Sequence, residues 1–177
     1  MVDKELENIT VRLSGIVSES VVDGVGFRMA IFTQGCKHDC KGCHNPQTHA
    51  LDGGEVTDLK FILEEIEKDP LLDGITLSGG EPFLQPKPLA VLCREAHKRG
   101  LDVWCYSGYT YEELCALAEK DADIGALLDG IDVLIDGRFV MEKLDLKLKF
   151  RGSSNQRVLD MKKTRESGSP VWLEGME

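Results

Sequence analysis

Apolar positions along this chain alternate between short continuous runs and a three-then-four spacing, the pattern of strands followed by amphipathic helices. Ile9 to Val17 reads as a first strand and Ser18 to Gly26 as a glycine-containing turn. Phe27 to Thr33 is a second strand that stops just before a group of cysteines. Gln34 to Glu55 has loop composition and is far longer than a usual connection, which marks it as functional. A helix is expected over Thr57 to Lys68, because Leu59, Ile62, Leu63 and Ile66 fall on one face. Gly74 to Ser78 is a short apolar strand that runs into Gly79-Gly80-Glu81-Pro82. The next helix covers Lys87 to Arg99, with Leu89, Leu92, Cys93 and Ala96 on one face and Gly100 as its stop. Leu101 to Tyr106 is a strand, and Thr110-Tyr111-Glu112-Glu113 is a capping box that opens a helix carrying Leu114, Leu117 and Ala118 inward. Ile131 to Ile135 and Arg157 to Met161 are the remaining strands, and the pattern assigns no element to the last 16 residues.

Strand, loop and helix therefore recur in the order expected of an α/β fold with parallel strands, either an open sheet or a barrel. In parallel architectures chemistry collects at the C-terminal ends of the strands. The informative residues fall there repeatedly: the cysteines after one strand, Gly-Gly-Glu after the next, Ser107-Gly108 after the third and Asp136 after the fourth.

Composition narrows the class. With 177 residues, 42% hydrophobic and 29% charged, the chain suits a single globular domain over 1–177, with a core at about 9–161 and a polar C-terminal tail at 162–177. The formal net charge of -10 argues against duplex nucleic acid or an anionic membrane as partner, since both require concentrated Lys and Arg. No apolar run approaches the roughly 18 residues of a membrane span. The acidic N-terminal segment lacks the apolar core of a signal peptide. A cytoplasmic protein is expected.

The cysteines carry the chemistry. Cys36, Cys40 and Cys43 form a C-x3-C-x2-C cluster in Gly35-Cys36-Lys37-His38-Asp39-Cys40-Lys41-Gly42-Cys43-His44-Asn45. Three thiolates with no obvious fourth can hold an iron–sulfur cube that keeps one iron open, and an open iron means chemistry rather than electron storage. The plainer alternative is a structural zinc site with His38, His44 or His49 as fourth ligand, but such modules usually carry a second close cysteine pair, absent here. Cys93, Cys105 and Cys115 lie in apolar or amphipathic contexts and read as core thiols.

The cysteine spacing resembles that of the radical S-adenosylmethionine superfamily, and Gly79-Gly80-Glu81-Pro82, after a strand and downstream of the triad, resembles its second motif. Asp23-Gly24-Val25-Gly26-Phe27-Arg28 is similar to the entry segment of glycyl-radical-enzyme activases, with Val25 where proline is common. Arg151-Gly152-Ser153-Ser154-Asn155-Gln156-Arg157, the Tyr106–Leu114 segment, Leu134–Phe139 and Gly42 before the last cysteine resemble the activating proteins of anaerobic ribonucleoside-triphosphate reductases. The resemblance spans about residues 9–159. It implies a shortened, partial (β/α) barrel, since a complete one needs about 250 residues. It also implies one [4Fe-4S] cluster on Cys36, Cys40 and Cys43, and S-adenosylmethionine bound at the open iron. Reductive cleavage of that ligand would give a 5′-deoxyadenosyl radical, which takes a hydrogen from a backbone glycine of the reductase large subunit. Reduced flavodoxin or ferredoxin would deliver the electron. Gly42, Cys43 and His44 would border the adenine, and Gly79, Gly80 and Glu81 would hold the methionine end, Glu81 as an acceptor for the ammonium. Ser107, Asp136 and Arg138 are candidates for the ribose or carboxylate, with a structural ion pair as the alternative for Asp136.

Three other readings compete. Cys43-His44-Asn45-Pro46 also looks like the cluster loop of pyruvate formate-lyase activases. A zinc-binding interaction module would be non-catalytic. A radical enzyme acting on a small molecule would share the cysteine spacing.

Overall fold

A computed structural model describes residues 4–177. Seven strands form one open sheet in the order β3-β1-β2-β4-β5-β6-β7. The strands are β1 (Thr10–Ser20), β2 (Arg28–Thr33), β3 (Glu55–Asp58), β4 (Gly74–Gly79), β5 (Asp102–Tyr106), β6 (Val133–Asp136) and β7 (Arg157–Asp160). The helices are α1 (Leu59–Lys68), α2 (Pro86–Lys98), α3 (Tyr111–Ala118), α4 (Ala122–Asp129) and α5 (Met161–Ser167). The four central strands β2, β4, β5 and β6 run parallel, and β1, β3 and β7 pair antiparallel. This is a mixed α/β fold that does not close, as the length of the chain requires.

The parallel strands read as unbroken apolar runs because both of their faces are covered. On one face, Met29, Ile31, Ile75, Leu77, Val103, Cys105 and Leu134 join Leu59, Ile62, Leu63, Leu89, Leu92, Leu114, Ile124 and Leu127 from the helices in a single core. On the other, Trp104, Val133, Ile135 and Val158 are covered not by helices but by Phe150, Leu173 and Met176. Strand alternation sorts the two sets, since neighbours such as Val103 and Trp104 point to opposite faces.

Four elements differ from the sequence pattern. The first helix starts at Leu59, because residues 55–58 pair with β1, Thr10 facing Asp58. An unforeseen helix, α4, begins at Asp121, whose carboxylate accepts from Asp123 N at 2.9 Å. Another, α5, follows β7 directly, with Asp160 accepting from Lys163 N at 3.0 Å. The polar tail returns along β7: Asp160 N donates to Val171 O at 2.9 Å and Leu173 N to Val158 O at 2.8 Å.

The Asp23–Arg28 segment is an anchor. Arg28 is fully buried, donates to Thr76 Oγ1 at 2.8 Å, Val25 O at 3.0 Å and Ile75 O at 2.7 Å, and pairs with Asp102 at 2.5 Å. Its guanidinium lies 5.3 Å from the Trp104 ring. A buried cation persists only when its donors are met in this way. A Cβ at Gly24 would lie 2.7 Å from the Arg28 side chain, so glycine lets the turn close over it.

Candidate active site

The C-terminal ends of β2, β4, β5 and β6 lie side by side and open into one cavity of about 490 Å³. That volume is in the range of about 300–1,000 Å³ typical of small-molecule sites. Cys36, Cys40 and Cys43 line it, together with His38, His44, Gly79, Gly80, Ser107, Gly108 and Gly137.

The loop after β2 is ordered by its own backbone. Gly35 N donates to Thr48 O at 2.7 Å and Cys36 N to His49 O at 3.2 Å, which closes the two ends together. Gln34 Nε2 holds the carbonyls of Gln47 at 3.1 Å and Ala50 at 2.7 Å. Cys43 N donates to Cys40 O at 3.1 Å, and Asn45 N approaches Cys43 Sγ at 3.4 Å. Asp39 and Gly42 take positive φ, 51° and 76°, which turns the chain between successive cysteines. At Gly42 the positive φ favours glycine, and a Cβ there would also crowd the end of the Met141 side chain at 3.0 Å.

All three cysteines are free thiols and partly exposed. Burial pushes the Cys36 thiol up; the His38 backbone pulls it back, while Glu81, Cys40 and Cys43 repel a thiolate there. Burial likewise raises Cys40, opposed by the Phe139 backbone. Three mutually repelling thiolates on one wall suit a cationic centre, which reverses this balance and holds them deprotonated. Among the described residues, no three His, Cys, Asp or Glu side chains gather closely enough for a single metal ion. A cube takes one thiolate on each of three irons, which matches the three cysteines of the motif.

Gly79 and Gly80 are required by packing. A Cβ at Gly79 would lie 2.5 Å from Thr33 N, and one at Gly80 2.3 Å from Gly35 O. Only glycine lets β4 end directly against the start of the cysteine loop, where Gly80 N donates to Thr33 O and Glu81 N to Gly35 O, both at 2.8 Å.

The other sequence candidates separate into two groups. His44 and Ser107 reach the cavity; Gly42, Glu81, Asp136 and Arg138 stand behind its lining. Asp136 is buried and accepts from Tyr111 N at 2.7 Å and from Arg157 at 3.0 and 2.5 Å. Arg138 is exposed, reaches Glu113 at 3.3 Å and lies 5.9 Å from the Tyr109 ring. The cavity also contains residues that the sequence pattern did not single out, among them Val22, Leu146 and Leu148.

Comparison with known proteins decides the family. Residues 22–159 match the family model described as a 4Fe-4S single cluster domain. The chain is 38% identical over 146 residues to the anaerobic ribonucleoside-triphosphate reductase-activating protein of Vibrio cholerae, covering 77% of this chain and 89% of that one. The protein of the same name from Pasteurella multocida is 39% identical over 145 residues, with the same two coverages, 77% and 89%. For the one from Escherichia coli K12 the identity is 36% over 149 residues, covering 78% and 91%. This chain belongs to the anaerobic ribonucleoside-triphosphate reductase-activating protein family.

As a member of that family it is an activating enzyme, and its 4Fe-4S domain carries the cysteine triad. Among solved structures, QueE from Escherichia coli overlaps 62% of this chain and 59% of its own, with a TM-score of 0.46 and 15% identity. Arg151 and Gln156, from the segment that resembles these activating proteins, also line the cavity. Arg151 donates to Gln156 O at 2.6 Å and Met176 O at 3.1 Å, and its guanidinium lies 4.8 Å from the Trp172 ring. The C-terminal segment thereby fixes one side of the cavity.

Proposed function

We propose that this chain activates anaerobic (class III) ribonucleoside-triphosphate reductase by generating a glycyl radical on its large subunit. The observation that carries the reading is that Cys36, Cys40 and Cys43 line one cavity together with Gly79 and Gly80 of the turn after β4. A reduced [4Fe-4S] cluster, when bound there, supplies the electron that splits S-adenosylmethionine into methionine and the deoxyadenosyl radical that abstracts the glycine hydrogen.

The remaining work belongs to the chain. Cys36, Cys40 and Cys43 would hold the cluster through their thiolates, and the cluster would then be open to S-adenosylmethionine. Gly79 and Gly80 lie at the methionine end, where backbone carbonyls serve as acceptors for the ammonium. Gly42, Cys43 and His44 border the adenine, and Phe139, 5.1 Å from the His44 ring, backs that side. Ser107 marks the end of β5, while Asp136 and Arg138 brace the wall through Arg157 and Glu113. The cavity at the C-terminal ends of the parallel strands admits a glycine loop from a macromolecule. Reduced flavodoxin or ferredoxin supplies the electron, and the whole chain acts as one radical S-adenosylmethionine domain. The reading places the protein in the cytoplasm, consistent with six free cysteines. Among the described residues no helix is long and apolar enough to cross a membrane.

The test is an anaerobic incubation with S-adenosylmethionine, reductant and, separately, the reductase large subunit or pyruvate formate-lyase, read by electron paramagnetic resonance. A glycyl radical on the reductase is expected. A radical on the lyase alone would overturn the assignment.

A further inference from the structure

Glu81 is almost completely buried, with 1% of its side chain exposed, and its carboxylate is surrounded by donors. Oε1 accepts from Ser107 Oγ at 2.9 Å and Phe83 N at 3.1 Å. Oε2 accepts from Gly108 N at 2.8 Å and from His38 Nε2 at 2.6 Å. A carboxylate offers about four lone-pair sites, so four short hydrogen bonds leave none for a further donor. An ammonium ligand would have to displace one of these partners, two of which are backbone groups that cannot rotate away.

The fourth partner is the informative one. His38 lies between Cys36 and Cys40, inside the first spacer of the cysteine motif. Its side chain is 7% exposed, far more buried than the flanking Lys37 and Asp39, and its ring packs edge-on to Tyr109 at 4.5 Å. A Cβ at Gly108 would lie 2.4 Å from the imidazole, so the turn after β5 is shaped to admit this ring. One carboxylate thus ties the cysteine loop to the ends of both β4 and β5.

We infer that Glu81 is a positioning residue that fixes the Cys36–Cys40 spacer through His38, and not a ligand of S-adenosylmethionine. This rests on the proposed function only in taking the triad as the cluster site. His38 holds the loop in the geometry that presents the thiolates, and Glu81 holds His38. The same network carries Ser107, whose Oγ also accepts from Tyr109 N at 3.1 Å, so the serine hydroxyl belongs to the brace.

Glu81→Gln keeps the shape but turns one acceptor into an NH2 group that meets a backbone N–H on either side. His38→Ala removes the tie and leaves Glu81 in place. His38→Gln can restore it, because its amide nitrogen reaches about as far as Nε2. Two readouts need neither partner nor turnover. In the iron-free chain, amide hydrogen exchange across residues 36–43 should quicken about tenfold or more in E81Q and H38A, the loss expected for a hydrogen bond to a charged group. In the reconstituted chain, the cluster midpoint potential should shift in the same direction in both, no further in the double variant, and return in H38Q. Slow exchange and an unchanged potential in H38A would overturn the inference. So would an E81Q that loses S-adenosylmethionine affinity while H38A changes nothing. Should E81Q fail to fold, the H38A and H38Q pair decides alone. A wild type that holds a cluster and yet activates no reductase would sink the functional proposal and leave this one standing.

Discussion

The three loop cysteines and two of the other three occupy regions that differ in almost every physical respect. Cys36, Cys40 and Cys43 are half-exposed on a loop whose shape is set by backbone hydrogen bonds and polar side chains. Cys93 and Cys105 have no exposed surface and pack among Leu89, Leu92, Val103 and Leu134. Burial pushes the Cys93 thiol up to about 12, and the Cys105 thiol well above its ordinary value. The same functional group is therefore a prospective ligand in one place and an inert filler in the other. Burial alone does not separate the two sets, since burial raises Cys36 as well. What separates them is convergence: the three loop cysteines line one cavity, and the core thiols lie in the hydrophobic core.

The sharpest way to break this contrast is to exchange roles. C36A, C40A or C43A should each reduce iron and sulfide in an anaerobic preparation to near background, while C93A retains the full complement. Equal iron in C36A and C93A would erase the distinction. A smaller effect should run the other way. Leu92→Ala empties a fully buried site under the sheet and should lower the unfolding free energy by about 2–5 kcal/mol, measured by denaturant titration. Iron per folded chain should stay unchanged, because the loop's hydrogen bonds do not pass through Leu92. A proportional fall in iron would mean that the two regions are not separable.

The smallest effect concerns the wall between them. Arg157 bridges buried Asp136 and exposed Glu112, and its hydrogen bonds hold the Glu112 carboxyl below the usual range. A carboxylate depressed in the folded state stabilises above its ordinary pKa, and that contribution is lost as pH falls through the folded value. Glu112→Gln should therefore flatten the acid side of the stability profile. Because the pair is exposed to solvent, the change at neutral pH should be under about 1 kcal/mol. Denaturation curves at neutral and acid pH check it, and an unaltered acid slope would remove Glu112 from the account.

Much of this was legible beforehand wherever a local pattern had one physical meaning. The helical faces of α1 and α2, the capping box of α3 and the four parallel strands follow from periodicity and caps, and each is present. The short strand β3 was hidden because Glu55-Val56-Thr57-Asp58 has no apolar face; only pairing with β1 defines it. The helices α4 and α5 are short and rely on Asp caps that resemble loop residues in isolation.

The site divides in the same way. Cysteine spacing announces the triad and glycine pairs announce the turn after β4. The partners of a carboxylate are set by tertiary contacts and cannot be read from spacing. Glu81 and Asp136 look alike in sequence as acids at strand ends. In the fold both accept from this chain's own donors, Glu81 from four and Asp136 from three. Gly79 and Gly80 line the cavity and are also required by close contact with Thr33 and Gly35, a second reason for glycine that spacing does not show.

The return of the C-terminal segment has a consequence beyond the cavity. An open sheet has two rims of unpaired peptide groups, each able to recruit another chain into a growing ribbon. Along β7 that rim is occupied by residues 171–173, anchored by the Leu159–Trp172 bridge. The opposite rim is made by the four-residue β3, with Glu55 and Asp58 at its ends, and by the part of β1 beyond Leu13, which β3 does not pair with. The fold thereby closes one border with its own C-terminal residues and leaves a short acidic strand and the distal part of β1 at the other.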